Sequence, residues 1–65
     1  MRILLNGEPT QTAARTLEEL VAALGYGEMR IATALNGSFV PVRARPETRI
    51  AEDDKVEIVA PRQGG

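Results

Sequence analysis

The sequence predicts an α+β fold in which a mixed sheet of four to five strands packs on one helix. Apolar and polar residues alternate in the first and last segments, which is the period of a half-buried strand. Between them, one stretch repeats apolar residues at spacings of three and four, which is typical of a helix with one apolar face. At 65 residues, the chain fits a single domain.

The composition excludes several classes of function. The sequence has no cysteine and no histidine, which argues against disulfides, thiol chemistry and a zinc or haem site. The net charge of −1 arises from mixed acidic and basic residues, so nucleic acid is not an expected partner. No apolar run reaches membrane-spanning length and no signal peptide opens the sequence, so we expect a cytoplasmic protein.

The first element is expected to be a β-hairpin. Residues 1–6 show a strand pattern in which Leu4 falls on the polar face. Asn6-Gly7 predicts a type I′ turn, because both central residues of that turn need positive φ. A second strand follows, and Pro9 near its start is typical of an edge strand.

A capping box predicts where the helix begins. The Thr16 hydroxyl can accept a hydrogen bond from the Glu19 N–H, and the Glu19 side chain can reach back to the Thr16 N–H. Glu18 and Glu19 also lie at the positive end of the helix dipole. This explains the acidic pair better than a catalytic role does, so we expect no catalytic residue here. Gly25 is expected to end the helix in the left-handed conformation.

Two short strands are predicted after the helix. Residues 31–35 form the first of them, and a second Asn-Gly turn leads into the next, which Pro41 ends. Residues 43–48 are expected to be irregular, because Pro46 disfavours regular structure in that segment.

The last strand, residues 56–60, is predicted to lie beside the first, in parallel, in the middle of the sheet. The segment before it, Glu52-Asp53-Asp54-Lys55, has three acidic residues and indicates a solvated turn and not a metal site. The apolar positions of the helix and the strands are expected to form one core, consisting of Ile3, Leu5, Leu17, Leu20, Val21, Leu24, Leu35, Val40, Ile50, Val56 and Ile58.

Leu4 and Val59 are apolar residues on the polar faces of the first and last strands. Because these strands are expected to be neighbours, the two side chains can form a small apolar patch that contacts a partner, and Phe39 can extend it. Single hydrophobic residues on a surface are also normal. Both interpretations stay open on the sequence.

The final five residues, 61–65, are expected to form a flexible tail after a folded domain of residues 1–60. Pro61 cannot continue a sheet ladder. Gly64 and Gly65 lack a Cβ and can lie extended in a channel too narrow for other residues. Five extended residues span at most about 17 Å, which is enough to carry a terminal carboxylate into a partner's pocket. An ordinary disordered terminus is the alternative interpretation.

Four segments and the terminal Gly-Gly carry a family resemblance. The segments are Met-Arg-Ile-Leu-Leu-Asn-Gly, Thr-Leu-Glu-Glu-Leu-Val, Ala-Leu-Asn-Gly-Ser-Phe-Val-Pro and Glu-Asp-Asp-Lys-Val-Glu-Ile-Val. In this order they resemble the ThiS family of sulfur-carrier proteins, which are ubiquitin-like β-grasp proteins of thiamine biosynthesis. The resemblance covers essentially the whole chain. The family usually has a glycine in the turn before the last strand, where this chain has Glu52-Asp53-Asp54.

The resemblance implies a protein co-substrate and not an enzyme. A ThiF-like adenylyltransferase would use ATP to join the Gly65 carboxylate to AMP, and a sulfur donor of the cysteine-desulfurase type would convert it to a thiocarboxylate. A ThiG-like thiazole synthase would then take the sulfur. Arg62, Gln63 and Gly64 would thread the tail into these partners. No metal and no bound cofactor is expected in the chain itself.

Two other interpretations of the same residues stay open. The small subunit of molybdopterin synthase is a related carrier, although that family tends to be longer. A ubiquitin-like modifier would use Gly-Gly to form an isopeptide bond, whereas in a plain interaction domain Gly-Gly would have no chemical role. The mass of the native protein separates these cases, because a thiocarboxylate exchanges one oxygen for sulfur whereas a conjugate gains a second protein.

Overall fold

The computed structural model describes residues 1–27 and 29–60, and the predicted tail lies outside these described residues. None of the helices in this part of the chain is long and apolar enough to cross a membrane. The elements, in chain order, are strands β1 (Arg2–Leu5) and β2 (Glu8–Gln11), helix α1 (Leu17–Ala23), strands β3 (Ala32–Leu35) and β4 (Ser38–Val40), a 3₁₀ helix (Val42–Glu47) and strand β5 (Lys55–Val59).

The five strands form one mixed sheet in the order β2-β1-β5-β3-β4. Strands β1 and β5 pair in parallel, and the other neighbouring strands pair antiparallel. The prediction that the first and last strands lie side by side in the middle of the sheet is therefore confirmed. Pro9 lies on β2, which is an edge strand, as its missing N–H predicts.

Both Asn-Gly dipeptides form the predicted two-residue turns. Asn6 and Gly7 have φ values of +50° and +84°, and Asn36 and Gly37 have φ values of +50° and +87°. Positive φ at both central positions is the requirement of a type I′ turn, whose twist matches that of the flanking strands. These turns fix the register of the β1–β2 and β3–β4 hairpins.

The beginning of α1 confirms half of the predicted capping box. The Thr16 hydroxyl accepts a hydrogen bond from the Glu19 N–H at 3.2 Å. The predicted reciprocal bond is wrong, because the Glu19 carboxylate accepts from the Arg15 N–H at 2.7 Å, one residue earlier. The chain enters the helix from an extended segment in which Thr16 forms an isolated bridge with Arg49. The helix start therefore depends on a distant segment as well as on its own sequence.

The end of α1 is a Schellman motif centred on Gly25, which has φ +86°. The Gly25 N–H donates to the Ala22 carbonyl at 3.0 Å and the Tyr26 N–H donates to the Val21 carbonyl at 3.0 Å. Leu24 lies just past the last helical residue and is 38% exposed. Its predicted place in the core is wrong, since the side chain stays exposed although the backbone is still helical, with φ −84° and ψ −2°.

The core lies between α1 and one face of the sheet, as predicted. Leu5 and Leu35 pack at its margin and are only partly buried. Ala14 and Ile31 also belong to the core, although the periodic patterns did not select them. The remaining predicted core residues are buried, namely Ile3, Leu17, Leu20, Val21, Val40, Ile50, Val56 and Ile58.

Residues 43–48 are more regular than the sequence predicts, because most of them belong to the 3₁₀ helix Val42–Glu47. The Ala44 N–H donates to the Pro41 carbonyl at 2.9 Å, and the Thr48 N–H donates to the Arg45 carbonyl at 3.2 Å. Pro46 excludes a longer α-helix. It does not prevent a short 3₁₀ segment, in which a proline removes one hydrogen bond.

Arg45 anchors this 3₁₀ helix to β3. Its side chain is 8% exposed, and its Nε donates to the Thr33 hydroxyl at 3.1 Å while its Nη2 donates to the Ile31 carbonyl at 2.8 Å. The Thr33 hydroxyl in turn donates to the Val40 carbonyl at 2.8 Å. This buried polar chain joins β3, β4 and the 3₁₀ helix.

Candidate functional site

Strand β5 is the element that leads to the predicted tail. It lies in the middle of the sheet, between β1 and β3, and its last residue is Val59. Arg62, Gln63, Gly64 and Gly65, to which the sequence assigns the reacting end, lie outside the described residues. The described part of the site is therefore the end of β5 and the sheet surface around it.

The two faces of β5 differ as predicted. Val56 and Ile58 are buried against the core, whereas Glu57 points outward and Val59 is 61% exposed. In the register of the sheet, Val59 pairs with Ala32 of β3. An exposed valine therefore occupies the outer face of the sheet immediately before the chain reaches the predicted tail.

Phe39 also lies on this outer face, which the sequence did not establish. It is 69% exposed and pairs with Ala34 of β3, which pairs on its other side with Glu57 of β5. Neighbouring strands lie about 4.8 Å apart, so these side chains form a continuous surface across β4, β3 and β5. We call the apolar residues of this surface the outer-face patch: Ala32, Ala34, Phe39 and Val59.

Leu4 does not belong to the outer-face patch. It is on the outer face of β1, half-buried, and level with Lys55 at the beginning of β5. Val59 lies four residues further along β5, or about 13 Å at the rise of a strand. The prediction that β1 and β5 are neighbours is confirmed, but a patch that joins Leu4 to Val59 is wrong. The parallel register separates the two side chains.

Two asparagines bind the backbone of β5, a role that sequence reasoning missed. The Asn6 side chain contacts Ile58 near the end of the strand, through bonds of 2.9 Å and 3.1 Å. The Asn36 side chain contacts Lys55 at its beginning, accepting from the Lys55 N–H at 2.9 Å. The sequence indicates both side chains only as turn formers, because the segment they contact is distant in sequence.

The acidic turn before β5 is a solvated structural turn, as predicted. Asp53 has φ +69°, a backbone conformation that a glycine adopts easily, and pairs with Arg2 at 2.8 Å between exposed side chains. The hydrogen bond to Asp53, and then its charge, raise the pKa of Arg2. Within residues 1–27 and 29–60, no cluster of acidic side chains could hold a metal ion.

A cleft of about 280 Å³ lies on the helix side of the sheet, opposite the outer-face patch. Its walls come from α1 and the 3₁₀ helix, and its polar residues are Glu18 and Arg45. Two nitrogens of the Arg45 guanidinium are already bound to β3. The cleft therefore has a structural explanation, as the space left where the 3₁₀ helix docks beside α1.

Three comparisons with known proteins point to one family. The sequence model of the ThiS family matches residues 3–65. The chain is 33% identical over 63 residues to the sulfur carrier protein ThiS of Thermus thermophilus, covering 97% of this chain and 98% of that protein. It is also 33% identical over 66 residues to a thiazole synthase of Paramagnetospirillum magneticum, of which it spans only 20%.

Solved structures agree on the fold. The crystal structure of the thiamine biosynthesis protein ThiS from Geobacter metallireducens superposes with a TM-score of 0.80 at 29% identity, covering both chains completely. A solution NMR structure of a thiamine biosynthesis protein from the same organism gives 0.82 at 26% identity, covering all of this chain and 88% of that one. The two-layer arrangement described above is thus the ubiquitin-like β-grasp fold.

Proposed function

The chain belongs to the ThiS family of sulfur carrier proteins of thiamine biosynthesis, and we propose that Gly65 provides the carboxylate that carries the sulfur. The observation that supports this most directly is the position of β5, whose exposed end at Val59 leads towards residues 61–65. The family match also extends to residue 65. Since the sequence contains no cysteine, a carboxyl carbon is a suitable place for covalently bound sulfur.

The chemistry needs activation, because a carboxylate is a poor electrophile. We infer that a carboxylate oxygen of Gly65 attacks the α-phosphorus of ATP, so that pyrophosphate leaves and an acyl-adenylate forms. A hydrosulfide, which a thiol reductant releases from the donor's persulfide with formation of a disulfide, then attacks the carbonyl carbon. The C–S bond forms, the C–O bond to AMP breaks, and AMP leaves with the electron pair. Arg62, Gln63 and Gly64 thread the tail into the enzyme that binds ATP.

We propose that the partner enzymes supply all the catalysis and that the reactions take place in the cytoplasm. They are a ThiF-like adenylyltransferase, a sulfur donor of the cysteine-desulfurase type, and a ThiG-like thiazole synthase that takes the sulfur. The similarity to a segment of one thiazole synthase supports the link to thiazole formation. The family match favours this function over a molybdopterin-synthase subunit and over a protein modifier.

The outer-face patch is the proposed docking surface for the adenylyltransferase. Phe39 and Val59 are mostly exposed apolar side chains, and neither belongs to the core that the residues 1–27 and 29–60 form. Buried centres of interfaces are rich in aromatic and apolar residues. An enzyme that covers the patch lies directly beside the end of β5, which is where it must receive the tail.

Two changes in the tail test the proposal. We expect ATP–pyrophosphate exchange by the cognate adenylyltransferase to fall sharply with Gly64→Ala, because a methyl group obstructs a channel shaped around bare backbone. Exchange should vanish when Gly65 is deleted. Thermal melting should match the parent in both cases, since the folded domain is predicted to end at residue 60.

Gly27→Ala is the matched control, because a Cβ at Gly27 meets nothing within 4 Å and its φ is not positive. It should leave both melting and exchange unchanged. If the chain that lacks Gly65 is still adenylated and still accepts sulfur, the carrier mechanism is wrong.

A further inference from the structure

We propose that Asn6 is a positioning residue for the tail. Its side-chain amide holds the end of β5 at Ile58, and this contact sets the direction in which the chain leaves the sheet after Val59. The inference rests on the proposed function, because it matters only if the tail must reach a partner's active site. It assigns a role in sulfur transfer to a residue that the sequence indicates only as a turn former.

The amide of Asn6 extends the β1–β5 ladder beyond the end of β1. The last backbone bond between these segments runs from the Asn6 N–H to the Val56 carbonyl at 2.8 Å. Beyond it, the Ile58 N–H donates to Asn6 Oδ1 at 2.9 Å, and Asn6 Nδ2 donates to the Ile58 carbonyl at 3.1 Å. One carboxamide thus supplies the acceptor and the donor that a neighbouring strand would supply, at the point where β1 has already turned away.

This contact determines how firmly the end of β5 is held. On its other side, β5 pairs with β3 up to the pair between Val59 and Ala32. With Asn6 in place, the backbone around Ile58 is fixed from both sides. Without the amide, only β3 holds the last residues of β5, and this end can pivot about that single ladder. The outer-face patch would still dock, but the tail would start from a less defined direction.

Asn36 provides an internal control for this role. It belongs to the other Asn-Gly turn and has the same φ of +50°. It also binds β5, since the Lys55 N–H donates to Asn36 Oδ1 at 2.9 Å and the Asn36 N–H donates to the Lys55 carbonyl at 2.7 Å. The difference is position, because Asn36 holds the beginning of β5 from the β3 side and Asn6 holds its end from the β1 side.

The test compares Asn6→Gly with Asn36→Gly. Glycine adopts positive φ without strain, so each change removes an amide and keeps its turn. With the adenylyltransferase, we expect Asn6→Gly to lower kcat about tenfold, since misplacement of a reacting group by about 1 Å can cost up to ~100-fold. KM for the carrier should stay within about twofold, because the outer-face patch is unchanged. Asn36→Gly should leave kcat and KM within about twofold of the parent values. The melting temperature should fall in both variants, because each loses hydrogen bonds to β5.

A conservative variant and a second measurement complete the test. Asn6→Asp keeps the acceptor for the Ile58 N–H and loses the donor, so its kcat should lie between those of the parent and Asn6→Gly. Amide hydrogen exchange of the isolated chain should accelerate at Ile58 in Asn6→Gly and at Lys55 in Asn36→Gly.

Three results would overturn the role of Asn6: parent-like kcat in Asn6→Gly, an equal loss in both glycine variants, or an Ile58 amide that stays protected. A parent chain that is never adenylated would instead overturn the proposed function. The two failures are therefore distinguishable.

Discussion

The two faces of the sheet are built under different constraints. On the inner face, Ile3, Val56 and Ile58 are at most 6% exposed and pack under α1. On the outer face, Phe39 and Val59 are 69% and 61% exposed, although they are equally apolar. Folding explains the inner residues, because their burial supplies the main stabilising free energy of the domain. It does not explain the outer ones, and this difference makes the outer face the candidate surface for partners.

The largest expected effect tests the inner face. Leu20 is 1% exposed and lies at the centre of the helix stripe, so Leu20→Ala should lower the free energy of unfolding by about 2–5 kcal/mol. Denaturant unfolding measures this. Leu24→Ala is the matched control at the C-cap of the same helix, and should cost less than about 1 kcal/mol because Leu24 is 38% exposed. Equal losses in the two variants would contradict the described core.

A smaller loss of unfolding free energy is expected at Arg45, a buried charged residue beside the apolar core. Arg45→Met keeps much of the buried side-chain volume but removes the donors to the Thr33 hydroxyl and the Ile31 carbonyl. A buried acceptor left without its donor costs about 1–3 kcal/mol, so unfolding free energy should fall by that amount. Arg43→Met changes an exposed arginine on the same 3₁₀ helix and should stay within about 0.5 kcal/mol. A cost at Arg45 no larger than that at Arg43 would mean that the buried network does not stabilise the fold.

Local patterns predicted much of this fold. The Asn-Gly turns, the hydrogen bond from the Glu19 N–H to the Thr16 hydroxyl and the Gly25 helix end each join residues close in sequence, and all three are confirmed. Alternation along β5 assigned Val56 and Ile58 to the core correctly. These features can be predicted from the sequence because their physical causes, such as the φ preference of a turn, act within a single element.

Contacts between distant segments were not predictable in the same way. The burial of Arg45 depends on Thr33, 12 residues earlier, and nothing near Arg45 in the sequence indicates that partner. The bond from Asn6 to Ile58 spans 52 residues. For the candidate site, the sequence identified Leu4 and Val59 as apolar residues on the polar faces of their strands and added Phe39 to them. Only the parallel register of β1 and β5 shows that Leu4 lies apart from the other two.

Phe39→Glu tests the outer face, and we expect it to have the smallest effect on stability and the largest effect on binding. Phe39→Glu should change the free energy of unfolding by no more than about 0.5 kcal/mol, because the side chain is largely exposed. It should weaken binding to the adenylyltransferase about tenfold, since it places a charge at the centre of a proposed apolar contact. Titration of the enzyme with each variant measures this. Leu4→Glu should weaken the same complex less, because Leu4 lies outside the outer-face patch.

Val42→Glu is the matched control for Phe39→Glu. Val42 is 67% exposed, nearly as much as Phe39, but it belongs to the 3₁₀ helix and not to the outer face of the sheet. If exposure of an apolar side chain were sufficient for binding, the two variants would lose affinity equally. If docking uses the outer-face patch, Val42→Glu retains the affinity of the parent. A larger loss with Leu4→Glu than with Phe39→Glu would move the docking surface to the β1 side of the sheet and would contradict the patch defined here.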